Sequence, residues 1–234
     1  MTRDRSRSTP PPPTNFLPNA LQVLLGYLML RPWMAFCLRG RVRRSRMMPD
    51  GPCVLACNHR SYADPGLVGM FMHRPIAYFA RSDLWEQPII AFFLNAMFGI
   101  PVDRENPGLS SMKGAVERLR RGIAVLVFPE GTRTRNGRLG AMREGPALFA
   151  RRADVPLVPV YLVRSEVLWP LGNKIPLIFN KGIEVRFGSP LIPPANLEPR
   201  AQDAWVSRRL QLWMEVQERR LMGPRQRITK NAAH

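Results

Sequence analysis

Acidic residues are scarce in this chain. Seventeen Asp and Glu face 35 Lys and Arg, so 234 residues carry a formal net charge of +18. Charge of that sign and size excludes a cation-collecting surface and points to an anionic partner: nucleic acid, a phosphorylated substrate or an anionic lipid surface. Cysteine is equally sparse. Three Cys, an odd number, exclude a disulfide scaffold and fit a reducing cytosol. Cys53 and Cys57 cannot bridge if both lie on one strand, because four strand residues span ~13 Å and a disulfide needs Cα atoms within about 7 Å. Three His, scattered at 59, 73 and 234, offer no metal cluster. Long unbroken apolar runs are missing too. Phe16–Leu38 is apolar, but Arg31 and Pro32 interrupt it, whereas a spanning helix wants ~18 or more residues with few or no charges. No small-residue cleavage site follows that stretch, which excludes a signal peptide, and there is no internal repeat.

What is present is a globular composition, 45% hydrophobic and 22% charged, in a chain long enough for a sizeable core. The positive charge is uneven. Residues 1–50 hold nine Arg and two Asp, a net +7; residues 51–222 hold 23 basic and 15 acidic groups, a net +8; residues 223–234 add +3. A folded domain with basic flanks fits this better than a uniformly basic nucleic-acid binder, and no aromatic–basic nucleic-acid motif is seen. The expected organisation is a basic, proline-rich disordered leader (1–14), membrane-associated helices (15–48), a catalytic domain (49–222) and a basic tail (223–234). The apolar pieces between Phe16 and Leu38, with Tyr27, Trp33 and the run Arg39, Arg41, Arg43, Arg44, Arg46 behind them, read as helices lying in a membrane interface. That places the protein at the cytoplasmic face of the cell membrane, peripheral or monotopic. The competing reading is a core helix packed on the domain.

From Cys53 onward, strands and helices alternate. Cys53–Cys57, Ile76–Arg81, Ile100–Val102, Ile123–Phe128, Val155–Val163 and Ile183–Phe187 read as strands. Pro65–His73, Trp85–Phe98, Leu109–Arg121, Pro146–Arg152 and Leu197–Leu221 read as helices. Continuous apolar strands between amphipathic helices predict an α/β fold, a mostly parallel sheet covered by helices, with the membrane-associated helical segment ahead of it.

Two segments at strand ends carry chemistry. Asn58-His59-Arg60-Ser61-Tyr62-Ala63-Asp64 follows the first strand. On a continuous helix His59 and Asp64 would diverge by ~140°. A turn can fold them together, so that the carboxylate fixes the imidazole tautomer and leaves the other nitrogen as a base. The plain alternative makes Asp64 an N-cap before Pro65 and His59 a turn residue. Phe128-Pro129-Glu130-Gly131-Thr132-Arg133-Thr134 follows a second buried strand. Gly131 permits a tight turn, Thr132 and nearby amides offer donors, and Arg133 offers a bidentate fork for phosphate. Gly99 to Arg104 adds a short strand ending in another Arg. Taken singly, each Arg reads equally as a solvated turn residue.

Taken together these residues resemble the glycerolipid acyltransferase family, whose best-known members are the 1-acylglycerol-3-phosphate acyltransferases. Its N-H-x4-D block is matched by Asn58, His59 and Asp64; its G-x-x-x-x-R segment by Gly99 and Arg104; its F-P-E-G-T-R block, unbroken, by Phe128 to Arg133; its V-P-V strand by Val158, Pro159 and Val160. The resemblance covers about residues 50–190. One departure is Met142-Arg143-Glu144-Gly145, where the family often has F-K-x-G. The resemblance implies transfer of an acyl group from an acyl thioester, acyl-CoA or acyl carrier protein, to a lysophospholipid hydroxyl at a membrane surface. Cofactor and metal are not required. It implies His59 as base, Asp64 as its orienter, Arg104 and Arg133 on the acceptor phosphate, and Glu130, Gly131 and Thr132 shaping the acceptor site. Glycerol-3-phosphate or a lyso-ornithine lipid are alternative acceptors. Cys57, two residues before His59, offers a rival nucleophile. A basic nucleic-acid-binding protein and a catalytically silent membrane scaffold are the readings from other classes.

Overall fold

A computed structural model describes residues 41–72, 74–96, 98–103, 109–133, 138–169 and 182–221. The expected leader, the apolar stretch Phe16–Leu38, Arg104, His73 and the basic tail lie outside the described residues. Among the described residues seven strands form one sheet: β1 (Arg41–Arg44), β2 (Val54–Cys57), β3 (Ile76–Arg81), β4 (Ile100–Val102), β5 (Ala124–Val127), β6 (Leu157–Val163) and β7 (Glu184–Phe187). Their order is β1-β7-β6-β2-β5-β3-β4. All neighbouring pairs are parallel except β6 and β7. Five helices follow in chain order: α1 (Asp64–Phe71), α2 (Pro88–Ala96), α3 (Leu109–Arg120), α4 (Gly145–Ala153) and α5 (Pro199–Leu221).

Side-chain alternation along each strand splits the core in two. Leu55 and Cys57 of β2, Leu126 of β5 and Val158, Val160 and Leu162 of β6 pack with Leu67, Val68 and Phe71 of α1. Val54 and Ala56, Val125 and Val127, Leu157 and Tyr161 face the other way, against Leu119 of α3, Ala147 and Ala150 of α4, and Val206, Leu210 and Met214 of α5. The mostly parallel sheet covered by helices is therefore as expected, and the continuous apolar runs of β2 and β6 follow from burial on both faces.

Two expectations and one alternative reading need correction. Trp85–Phe98 is not one helix: Ser82–Glu86 is a 3-10 turn, and α2 begins at Pro88. The residue before a proline is pushed out of the helical region, and Gln87 sits at φ −98, ψ 113. The helix ends at Ala96, and beyond it the Gly99 N–H reaches back to the Leu94 carbonyl at 2.7 Å; a Cβ at Gly99 would lie 2.9 Å from that carbonyl and from the Trp85 ring. Arg41–Arg44, read as a basic run within residues 15–48, is a sheet strand pairing with β7, so the sheet begins ahead of residue 49. Its arginines are accommodated because the strand lies at an edge: Arg43 pairs with Glu184 at 2.6 Å and Arg44 lies over the Phe187 ring. Finally, Asp64 does not cap α1. The N-cap is Ala63, and the Asp64 side chain turns backwards, as described next.

Candidate active site

Strand register brings the two chemistry-bearing segments together. β2 lies between β5 and β6, all parallel, with Ala56 opposite Val127 and Cys57 opposite Val160. The chain therefore leaves β2 and β5 at the same carboxyl end of the sheet, one strand spacing apart, ~4.8 Å. One residue beyond Val127, the Phe128 ring stacks on the His59 imidazole, centroids 3.9 Å apart and planes 17° from parallel.

His59 and Asp64 meet. His59 Nδ1 lies 2.8 Å from Asp64 Oδ2, the imidazole side chain 18% exposed and the carboxylate fully buried. The same Oδ2 accepts the backbone N–H of Arg60 at 2.7 Å and of Ser61 at 2.8 Å. The imidazole nitrogen and two backbone N–H groups thus converge on one carboxylate oxygen. A carboxylate on Nδ1 places the proton there and leaves Nε2 as the basic nitrogen. His59 Nε2 has no partner among the described residues. The turn that folds the pair together is closed by Asp64 itself, which is why Asp64 and not a neighbouring hydroxyl stands at this position.

Glu130 ties the two segments. Its Oε1 accepts the His59 backbone N–H at 2.9 Å and its Oε2 accepts that of Gly140 at 2.8 Å. Burial pushes its carboxyl up from the usual range, and the two N–H donors pull it back down. Gly131 turns the chain at φ +71, in the left-handed region, and packs so closely that a Cβ would lie 3.0 Å from Arg143 Nε. The Arg143 N–H donates to the Pro129 carbonyl at 2.9 Å, so the segment that departs from F-K-x-G folds back onto the Phe128–Arg133 turn. Thr132 is exposed beside it. The Arg133 guanidinium lies 3.5 Å over the Tyr62 ring, and Tyr62 leans on Trp169. That contact sets the end of the Phe128–Arg133 turn against the turn after β2.

Several contributors escape a reading of motifs. Asn58, part of the first block, bridges to β6: its Nδ2 donates to the Leu162 carbonyl at 3.1 Å and its Oδ1 accepts the Leu162 N–H at 2.7 Å. It anchors the strand end. Ser61 Oγ donates to the Trp169 carbonyl at 3.1 Å. Arg60 reaches Tyr161 Oη at 3.0 Å and Glu218 Oε1 at 3.2 Å, on α5. Tyr161 is buried and its hydroxyl is pushed up to about 12, chiefly by that burial. No local sequence signal connects residues 158 positions apart.

Cys57 sits at the end of β2 and is fully buried on the α1 face, so strand alternation does not carry on to His59. Burial pushes its thiol well above the ordinary value, with Asp64 and Glu130 adding to the effect. A thiol so placed is a packing group. Cys57→Ala is accordingly expected to keep most activity, and no acyl-enzyme should form with donor alone. A Cys57 acyl adduct in intact-mass spectra would reverse that assignment. Among the described residues no group of three His, Cys, Asp or Glu gathers to hold a metal ion.

Comparison with known proteins points to one family. An Acyltransferase family model matches residues 39–163. The 1-acyl-sn-glycerol-3-phosphate acyltransferase of Bacillus subtilis is 34% identical over 148 residues, which are 62% of this chain and 68% of that protein. A chloroplastic 1-acyl-sn-glycerol-3-phosphate acyltransferase of Brassica napus is 29% identical over 127 residues, 53% of this chain but only 37% of the plant protein's length. The crystal structure of the 1-acyl-sn-glycerophosphate acyltransferase from Thermotoga maritima superposes with a TM-score of 0.63 at 20% identity, covering 85% of this chain and 88% of that one, a likeness of fold.

Proposed function

The chain belongs to the acyltransferase family, and from that premise we propose that it moves an acyl group from an acyl thioester, acyl-CoA or acyl carrier protein, to the free hydroxyl of 1-acylglycerol-3-phosphate, giving phosphatidic acid. The observation that carries the reading is the 2.8 Å contact between His59 Nδ1 and a buried Asp64 at the carboxyl end of the sheet where the family's two main blocks meet. The relatives named above supply the acceptor class. The test is an acceptor panel with labelled acyl-CoA and the purified chain in detergent. Labelled phosphatidic acid from 1-acylglycerol-3-phosphate is expected. Labelling only of glycerol-3-phosphate or of a lyso-ornithine lipid would move the acceptor and keep the reaction; labelling of none would overturn both.

The chemistry needs few parts. A thioester is already activated, so the acceptor hydroxyl needs a base and the tetrahedral oxyanion needs fixed donors. His59 Nε2 takes the hydroxyl proton as the oxygen attacks the thioester carbonyl. Asp64 holds the proton on Nδ1 and stabilises the imidazolium that forms. Collapse of the tetrahedral intermediate expels the thiolate, and the imidazolium returns its proton to sulfur, restoring neutral His59. The Phe128 stack keeps the ring in plane. Glu130, with both oxygens on backbone N–H groups, shapes the acceptor site by holding its walls; Gly131 and Thr132 line the turn.

Arg133 is assigned to the acceptor phosphate together with Arg104. Stacking on Tyr62 leaves the guanidinium edge for a bidentate contact. Arg133→Lys keeps the charge and loses both stack and fork, so the acceptor KM should rise several-fold while the donor KM moves much less. Equal weakening of both substrates in steady-state kinetics, or of neither, would show that Arg133 does not hold the acceptor.

A lipid acceptor places the protein at the cytoplasmic membrane face. No described helix is long and apolar enough to cross a membrane; we assign the interfacial attachment to residues 16–38 on their apolar sequence alone. Each Lys or Arg near an anionic surface contributes ~1 kcal/mol that fades with salt, while apolar burial does not. High salt alone should therefore fail to release the protein from membranes, and detergent should release it. Removing residues 1–40 stops just short of β1 and should leave a more soluble domain that prefers short-chain, water-soluble acceptors. Full pelleting of that truncation with vesicles would put the anchor elsewhere, with α2 the first candidate.

A further inference from the structure

The family match ends at residue 163, yet a side chain far beyond it touches both site segments. Glu218 stands near the end of α5. Its Oε1 accepts the Arg60 Nη2–H at 3.2 Å and the Leu139 backbone N–H at 2.9 Å. Arg60 follows His59 directly and gives its own N–H to Asp64. Leu139 precedes Gly140, whose N–H holds Glu130, and Glu130 holds the His59 N–H. One carboxylate oxygen therefore closes a ring of contacts, from Glu218 through Arg60 to Asp64 and from Glu218 through Leu139, Gly140 and Glu130 to His59. The pair is shielded: the Arg60 and Glu218 side chains are 10% and 18% exposed.

α5 is well placed to act as a fixed post. Asp203 grips Arg151 of α4 through two contacts, at 2.8 and 2.9 Å. Val206, Leu210 and Met214 are buried against the sheet. Gln217, next to Glu218, is buried and accepts from Arg186 of β7 at 3.2 Å. A site held by a docked helix is defined more closely than one held by its own loops.

We propose that Glu218 is a positioning residue for acyl transfer: it pins the turn after β2 and the segment after β5 to α5, and so sets the His59–Asp64 geometry from outside the motif-bearing region. The proposal rests on His59 acting as the base. Its signature is in kcat, because the acceptor and donor contacts are elsewhere. Misplacing a catalytic group by ~1 Å can cost up to about 10²-fold.

The test compares Glu218→Ala and Glu218→Gln in the full chain, purified in detergent, with the acceptor that the parent protein uses. Glu218→Ala should lose roughly 10- to 100-fold in kcat, with both KM values within about twofold. Glu218→Gln keeps an accepting oxygen for both donors and should retain most of the rate. Hydrogen–deuterium exchange should rise in peptides covering residues 58–64 and 138–145 for Glu218→Ala and stay near the parent level for Glu218→Gln. If Glu218→Ala leaves Arg60 unpaired and fails to fold, the double variant Arg60→Leu with Glu218→Leu removes both buried charges and should show the same loss. A kcat within about twofold of the parent, a rise in KM alone, or unchanged exchange would overturn the proposal. Increased exchange in a protein whose parent acylates no hydroxyl would leave the clamp standing and sink the functional reading instead.

Discussion

Purified His59→Ala should transfer acyl groups at ~10⁻² to 10⁻⁴ of the parent rate, the usual loss when a general base is removed. The fold should survive. The imidazole stacks on one side of Phe128 and is partly exposed, so its removal opens no closed cavity. Thermal unfolding should stay close to that of the parent. Asp64→Asn should cost less than His59→Ala, because an amide oxygen can still hold the imidazole while stabilising the imidazolium poorly. Single-turnover rates with radiolabelled donor would check both. Near-parental turnover by His59→Ala would remove His59 from the mechanism.

Asp64→Ala should be the substitution at this site that costs the fold most. Losing the carboxylate leaves the N–H groups of Arg60 and Ser61 without an acceptor in a place where Ser61 is fully buried and Arg60 nearly so. Each unpaired buried donor costs ~1–3 kcal/mol, or about 2–6 for the two. At this chain length that lowers Tm by roughly 5–20 °C. Asp64→Asn keeps an acceptor and should melt well above Asp64→Ala. The measurement is differential scanning calorimetry on the three proteins in one detergent. Equal melting of Asp64→Ala and His59→Ala would mean that the turn does not depend on this carboxylate.

Most of the sheet was legible because burial on both faces writes itself as unbroken apolar strands, as in Val54–Cys57 and Leu157–Val163. The site was legible where chemistry concentrates rare residues in short blocks, as in His59 with Asp64 and in Phe128 to Arg133. β1 was not, since an edge strand need not be apolar, and four residues with three Arg look like a solvated run until a partner strand is known. The break before α2 was present in Pro88, but the apolar weight of the segment outvoted it. The role of Asp64 as closer of its own turn depended on backbone geometry that residue types do not reveal. Glu218 is the clearest case: an acid among the charged residues of a long amphipathic helix reads as surface, and only the docking of α5 brings it to Arg60.

The two outer strands of the sheet have one more consequence. β1 offers its outward edge behind a row of arginines, while β4, at the opposite end, carries Pro101 in its middle position. Proline has no N–H to lend to an incoming strand, and a second copy aligned on β1 would bring arginine against arginine at ~4.8 Å. Molecules at high local concentration meet far more often than dilute ones. These two ends should let them collide without joining sheet to sheet, and Arg43→Val together with Pro101→Val is the pair of changes that should turn crowding into aggregation.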